Sequence, residues 1–172
     1  IVGVGVAVAV LYSGVDSAQT RKGSFVPDQE RYLLLPAVPA DAALVACLSD
    51  MEDAVNGPLR GFRFPDALAA ELAAGSFPSF SSASMVVSLH YGGKMNPLYV
   101  FDAGQAVSEP SEDASALMSF AAGQGLYAQF VDCSKASDGT RSIAKHSVVL
   151  VSDTETLVKS ATRHIAEPIS VM

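Results

Sequence analysis

Apolar and polar positions along this chain fall into two unlike parts. Residues 1–12 (IVGVGVAVAVLY) carry no charge and no strongly polar side chain, and residues 13–24 (SGVDSAQTRKGS) are small and polar with no period. Beyond residue 32 the pattern becomes periodic and names elements. Pro36 and Pro39 block helix and hold the backbone extended. Residues 43–48 (ALVACL) then form an apolar run of strand length. Residues 50–56 suit one or two helical turns, stopped by Gly57-Pro58. Residues 66–74 make a better helix. Pro65 and Asp66 supply its start, Leu68 and Leu72 share a face, and Gly75 is placed to end it.

The rest has a recurring order. Residues 85–90 and 98–101 read as strands, joined through Tyr91-Gly92-Gly93-Lys94-Met95-Asn96 as a hairpin. Residues 111–124 read as a helix. Glu112 and Asp113 stand at its positive end, Ala114, Leu117, Met118 and Ala121 form its buried stripe, and Gly123 and Gly125 frame its stop. The order then repeats with strands at 126–132 and 147–151, a turn at Ser137-Asp138-Gly139 and a helix at 154–166. Ser152 and Glu155 have capping-box spacing at the start of that helix, and Pro168 bars its continuation. Two β-β-α units result, at about 85–124 and 126–166, with the strand at 43 and the helix at 66 as an earlier degenerate copy. Hairpins imply antiparallel pairing. The expected fold is α+β: a two-layer sandwich of mainly antiparallel sheet with helices on one face. The units share element order and little residue identity.

Length and composition narrow the class. At 172 residues the chain fits one ordinary domain with some extra. It is 49% hydrophobic and 17% charged, which excludes a disordered chain. Eleven basic against 18 acidic residues give a net charge of -7, which argues against nucleic acid as a partner.

The apolar start admits three readings. Twelve helical residues span about 18 Å, short of a hydrocarbon core of roughly 30 Å. The favoured reading is the C-terminal part of a transmembrane anchor, cut short at Ile1, with Tyr12 at the membrane interface. A signal-peptide apolar region is the second, though Asp16-Ser17-Ala18 offers a poor cleavage site. A buried strand is the third, because Val and Gly alternate. The favoured reading divides the chain into a truncated anchor (1–12), a flexible tether (13–31) and an extracytoplasmic α+β domain (32–172). Arg21 and Lys22 by themselves favour the cytoplasmic side, so orientation stays open.

Candidate chemistry is sparse. His90 shares strand parity with Ser84, Val86 and Ser88, His146 with Val148 and Leu150, and His164 lies beside Leu157, Ala161 and Ile165. His90 and His146 would have to meet across strands to share a metal, and no metal-ligand spacing occurs. Ser81 with His90 is the one nucleophile–base pairing of note, without a G-x-S-x-G turn. Gly3-Val4-Gly5 lacks the third glycine of a dinucleotide fingerprint. Gly92-Gly93-Lys94 joins strand to strand and is followed by Met95, unlike a phosphate loop. Arg60 and Arg63 in GPLRGFRFP could hold an anion. Cys47 and Cys133 fall in strands and permit one bridge, with free thiols preferred. Asp50, Glu52 and Asp53, like Glu112 and Asp113, suit helix starts better than acid–base work. No catalytic, cofactor-binding or metal residue is assigned.

Leu35-Pro36 and Pro39-Ala40-Asp41-Ala42, leading into the 43–48 strand, resemble a bacterial envelope family of unknown function that opens with one membrane anchor and a "-P-A-D-A-" segment. Val148-Val149-Leu150-Val151-Ser152, its helix and the Ile169-Ser170-Val171-Met172 end are similar to a later stretch of that family. The resemblance implies an inner-membrane protein facing the periplasm, of which this chain is an N-terminal portion, and it brings no catalytic residues. The expected function is a non-enzymatic, membrane-tethered envelope module acting through protein partners. The rival readings are a small-ligand or peptide-binding domain using an exposed sheet edge or hairpin, and a hydrolase using Ser and His.

Overall fold

The computed structural model describes residues 33–48, 64–80, 83–136 and 143–167. The expectations for the anchor, the tether, the 50–56 turns, Arg60, Arg63, Ser81, the 137–139 turn and the end at 169–172 lie outside these residues. Among the described residues, no helix is long and apolar enough to cross a membrane.

The described elements are β1 (Ala42–Leu48), α1 (Asp66–Ala73), β2 (Met85–Tyr91), β3 (Met95–Gln105), α2 (Glu112–Gly123), β4 (Tyr127–Asp132), β5 (His146–Ser152) and α3 (Glu155–Ala166). The fold is α+β. Its five strands form one sheet in the order β1-β2-β3-β5-β4, and every neighbouring pair is antiparallel. The β2–β3 hairpin turns through Gly92–Lys94, with Gly93 at φ 82° and Tyr91 opposite Met95. This settles Gly92-Gly93-Lys94 as a strand-to-strand turn.

Period-two alternation in β2, β3 and β5 divides the core. Met85, Val87, Tyr99, Phe101, Val149 and Val151 pack with Leu68 and Leu72 of α1 and with Ala114, Leu117 and Ala121 of α2. Val86, Leu98, Val100, Val148 and Leu150 point the other way, to Leu157, Val158, Ala161 and Ile165 of α3. The helices therefore cover both faces, where a single helical face was expected. The reason is hydrophobic balance: both parities of the central strands are apolar, and either face left bare would forfeit about 25 cal/mol per Å² of apolar surface.

The described elements run β2-β3-α2 and then β4-β5-α3. The units are nevertheless not rotated copies. β3 and β5 pair antiparallel, so a twofold axis relating them would stand perpendicular to the sheet and keep both helices on one face. α2 and α3 lie on opposite faces.

Local signals end the helices largely as the residues dictate. After α1, Gly75 (φ 73°) donates to Leu72 O at 3.1 Å and Ser76 N to Glu71 O at 3.0 Å. After α2, Gly125 (φ 76°) donates to Ala122 O and Leu126 N to Ala121 O, both at 3.0 Å. Both are Schellman closures, which need the left-handed residue that glycine supplies. Ser111 caps α2 by accepting from Ala114 N at 3.2 Å. Asp113 instead accepts from Ser79 N and Oγ at 2.8 and 2.6 Å, fastening α2 to the turn at Pro78–Phe80. The expected capping box at Ser152 and Glu155 is absent. Ser152 is still paired in β5, its hydroxyl donates to Pro97 O at 2.7 Å, and Thr154 takes the N-cap position without a side-chain cap bond.

Candidate functional site

Among the described residues five polar side chains are buried: Ser88, His90, Asn96, Ser147 and Ser152. Ser88 and His90 share the parity of Val86, Asn96 that of Leu98, and Ser152 that of Leu150. Four of the five thus face α3. Register also brings them to one end of the sheet, because His90 pairs with Asn96, and Leu98 with Ser152. Burying polar groups costs free energy unless partners are supplied, so such a cluster needs a structural reason or a use.

His90 is the best-secured member. Its Nδ1 lies 3.0 Å from Asp41 Oδ1 and its Nε2 lies 2.9 Å from Ser88 Oγ. An ionised carboxylate only accepts, so Nδ1 carries a hydrogen, and in the neutral ring Ser88 donates to Nε2. The imidazole is 4% exposed and the Asp41 side chain 73%. Asp41 enters from the segment just before β1, which Pro39 and the packed 3-10 turn Leu35–Ala37 place beside α3. Acid, imidazole and hydroxyl stand in the order of a nucleophilic relay. Ser88, however, is fully buried in mid-strand, with Val45 and Leu98 as its register partners. A nucleophile must meet an acyl carbon, and here the sheet and α3 cover it. The arrangement instead fixes the His90 ring and orients one Asp41 oxygen, and among the described residues the other has no partner.

Two adjoining hollows open over this polar end. One, of about 270 Å³, is lined by Asp41, His90, Tyr91 and Asn96 on the sheet side and by Thr156 and Ser160 of α3. The other, of about 360 Å³, is lined by Pro39, Asp41, Ser160, Arg163, His164 and Glu167. Asp41 and Ser160 belong to both, so the two form one groove. Tyr91 stands 73% exposed at the rim. Lys94 reaches Asp153 at 3.4 Å, linking the hairpin to the start of α3. Asn96 Nδ2 donates to Lys94 O at 3.2 Å, while Asn96 Oδ1 and His164 Nδ1 are enclosed with no partner among the described residues.

The remaining candidates stay apart. His146 Nδ1 lies 3.2 Å from Asp102 Oδ1. β3 separates its strand from that of His90. His90 pairs with Asn96 at one end of β3, and His146 with Gln105 at the other. Nine residues of strand amount to roughly 30 Å, so the two imidazoles cannot share a ligand. Among the described residues no group of His, Cys, Asp and Glu is arranged to hold a metal ion. Cys47 and Cys133 are free thiols. Cys47 lies in β1 at one edge of the sheet and Cys133 just after β4 at the other. Four strand spacings are about 19 Å, far beyond a disulfide's Cα separation. Burial pushes the Cys47 thiol up to about 11 and the Cys133 thiol up to about 12, the latter aided by Asp132 and Asp102. Neither is a poised thiolate.

Comparison with protein-family models, with curated proteins and with solved structures finds no match for this chain.

Proposed function

We propose that this chain is a non-enzymatic binding domain that takes a small ligand in the groove between the β2–β3 hairpin and α3. The observation that carries the reading is the convergence, over one pair of joined hollows, of the buried polar cluster, the locked His90 and the exposed Asp41 carboxylate. Ligand sites are typically concave, of a few hundred Å³, with a small number of placed polar groups. A hydrolytic use of Ser88 and His90 is disfavoured by the burial of the hydroxyl.

The apolar run at 1–12 and the polar stretch after it support presenting this domain from a membrane anchor, and the envelope-family resemblance supports the periplasmic side. On that reading, a partner protein in the envelope receives the liganded domain. Removing residues 1–23 is expected to move the protein from the membrane fraction to the soluble fraction. Recovery of the full chain in the soluble fraction without detergent overturns the tether.

Thermal-shift screening of the chain against a library of small metabolites tests the binding reading. A ligand at a hundred times its Kd stabilises by about 2.7 kcal/mol. The exposed Ser160→Trp variant, which fills the wall common to both hollows, should keep its melting temperature and lose every ligand-induced shift. Shifts that persist in Ser160→Trp place binding elsewhere and overturn the assignment.

A further inference from the structure

Resting on the groove as the binding site, we infer that its ligand is a zwitterion of the α-amino acid class. Its ammonium would sit on Asp41, its carboxylate on Arg163, and its side chain in the hairpin-side hollow. The argument begins with charge. Asp41, Glu167 and Arg163 line the same 360 Å³ hollow, yet among the described residues Arg163 forms an ion pair with neither carboxylate. Among the described residues Arg163 has no ion-pair partner at all, and Asp41 has only His90, on one oxygen. Opposite charges that share a hollow without closing on one another leave room for a molecule carrying both signs. Each end then gains a charge-assisted hydrogen bond, and a guanidinium can grip a carboxylate with two parallel bonds.

The rest of the groove gives direction. Apart from Asp41, the 270 Å³ hollow has no Asp, Glu, Lys or Arg in its lining. Asp41 therefore sits at the junction, between a hollow with a cation and one without. Arg163 is the one Lys or Arg in the lining of either hollow, so a molecule anchored there by its ammonium gains most by turning its carboxylate toward Arg163 and away from Glu167. Its third substituent enters the uncharged side, against Tyr91, Leu157 and the Thr156 hydroxyl. His90 acts as a positioning residue: its hydrogen bond to Oδ1 holds the carboxylate and leaves Oδ2 for the ligand.

The test uses the whole chain and isothermal titration calorimetry. The probes are the common L-amino acids, each beside its N-acetyl derivative and its decarboxylated amine. At least one amino acid should bind, with each derivative weaker by about tenfold or more, the scale of one charge-assisted bond. Arg163→Gln should erase the preference over the amine. Asp41→Asn, which keeps an acceptor for His90, should erase the preference over the N-acetyl form. Derivatives that bind as tightly as the parent overturn the zwitterion while leaving the binding reading intact. The same holds if no amino acid binds but another compound from the metabolite screen does so in a Ser160-dependent way. If nothing binds, both fall together.

Discussion

The two faces of the sheet are built from different materials. The face under α1 and α2 is aromatic. Phe64 meets Tyr99 edge to face at 4.8 Å, Phe80 meets Phe101 at 6.0 Å, and Phe77 meets Phe120 at 6.1 Å. Among the described residues the core under α3 holds Leu, Val, Ile, Ala and Cys without an aromatic ring, and at its hairpin end it gives way to Ser88, His90, Asn96 and Ser152. Large rings pack the first face among the described residues. Smaller side chains on the other stop short, and the gap they leave carries polar groups and opens to solvent. Aromatic and polar burial are thus divided largely between the parities of the same strands.

Phe101→Ala breaks the aromatic face most severely. A buried ring removed without replacement costs about 3–5 kcal/mol, so chemical denaturation should show a large loss. Any ligand affinity of the folded fraction should be unchanged. On the other face, His90→Ala strands the buried Ser88 hydroxyl at a cost of about 1–3 kcal/mol. Replacing the hydroxyl as well, in Ser88→Ala with His90→Leu, should recover part of that loss and still abolish binding. A double variant less stable than His90→Ala would show that the polar cluster is held by more than its internal hydrogen bonds.

The helix ends sharpen the contrast at smaller scale. Gly125→Ala forces a side chain into the left-handed region at φ 76° and should cost about 1–2 kcal/mol. α3 ends at an extended Glu167 with no such glycine, so Glu167→Ala should be close to neutral by the same denaturation measurement. The smallest effect concerns Asp113, whose hydrogen bonds from Ser79 hold its carboxyl below the usual value of 3.8. A lowered folded pKa stabilises above the unfolded pKa and is lost as pH falls through the folded one. The stability difference between wild type and Asp113→Asn should therefore be present at pH 7 and fade below about pH 4.

Most of the fold was legible because local chemistry set it. Leu68 and Leu72, the stripe at Ala114, Leu117 and Ala121, and the glycines at 75 and 125 each specify a helix or its end with neighbours in sequence. The two-sided sheet was less visible. Its signal lay in Val86-Val87, Leu98 to Phe101 and Val148 to Val151, which are apolar on both parities, as strands covered on both faces are. Hairpin logic instead assigned one bare face. At the site, the shared parity of Ser88 and His90 was readable. The partners of the ring were not: Ser88 lies at Nε2 and Asp41 at Nδ1. Asp41 lies 49 residues away, and no spacing rule connects a pre-strand acid to the end of the next strand in the sheet. The closeness of Arg163 to Asp41 likewise depends on which face α3 covers, the very feature that the pattern of elements left unspecified.

The account turns on whether the polar end of the α3 face receives a ligand, and amide-resolved NMR titration of the chain with compounds from the thermal-shift screen tests this most directly. Chemical-shift changes confined to His90, Tyr91, Asn96, Thr156 and Ser160, with Tyr99, Phe101 and Leu117 unmoved, are the predicted result. Changes centred on the aromatic face, or a screen in which no compound shifts the polar end, would contradict it.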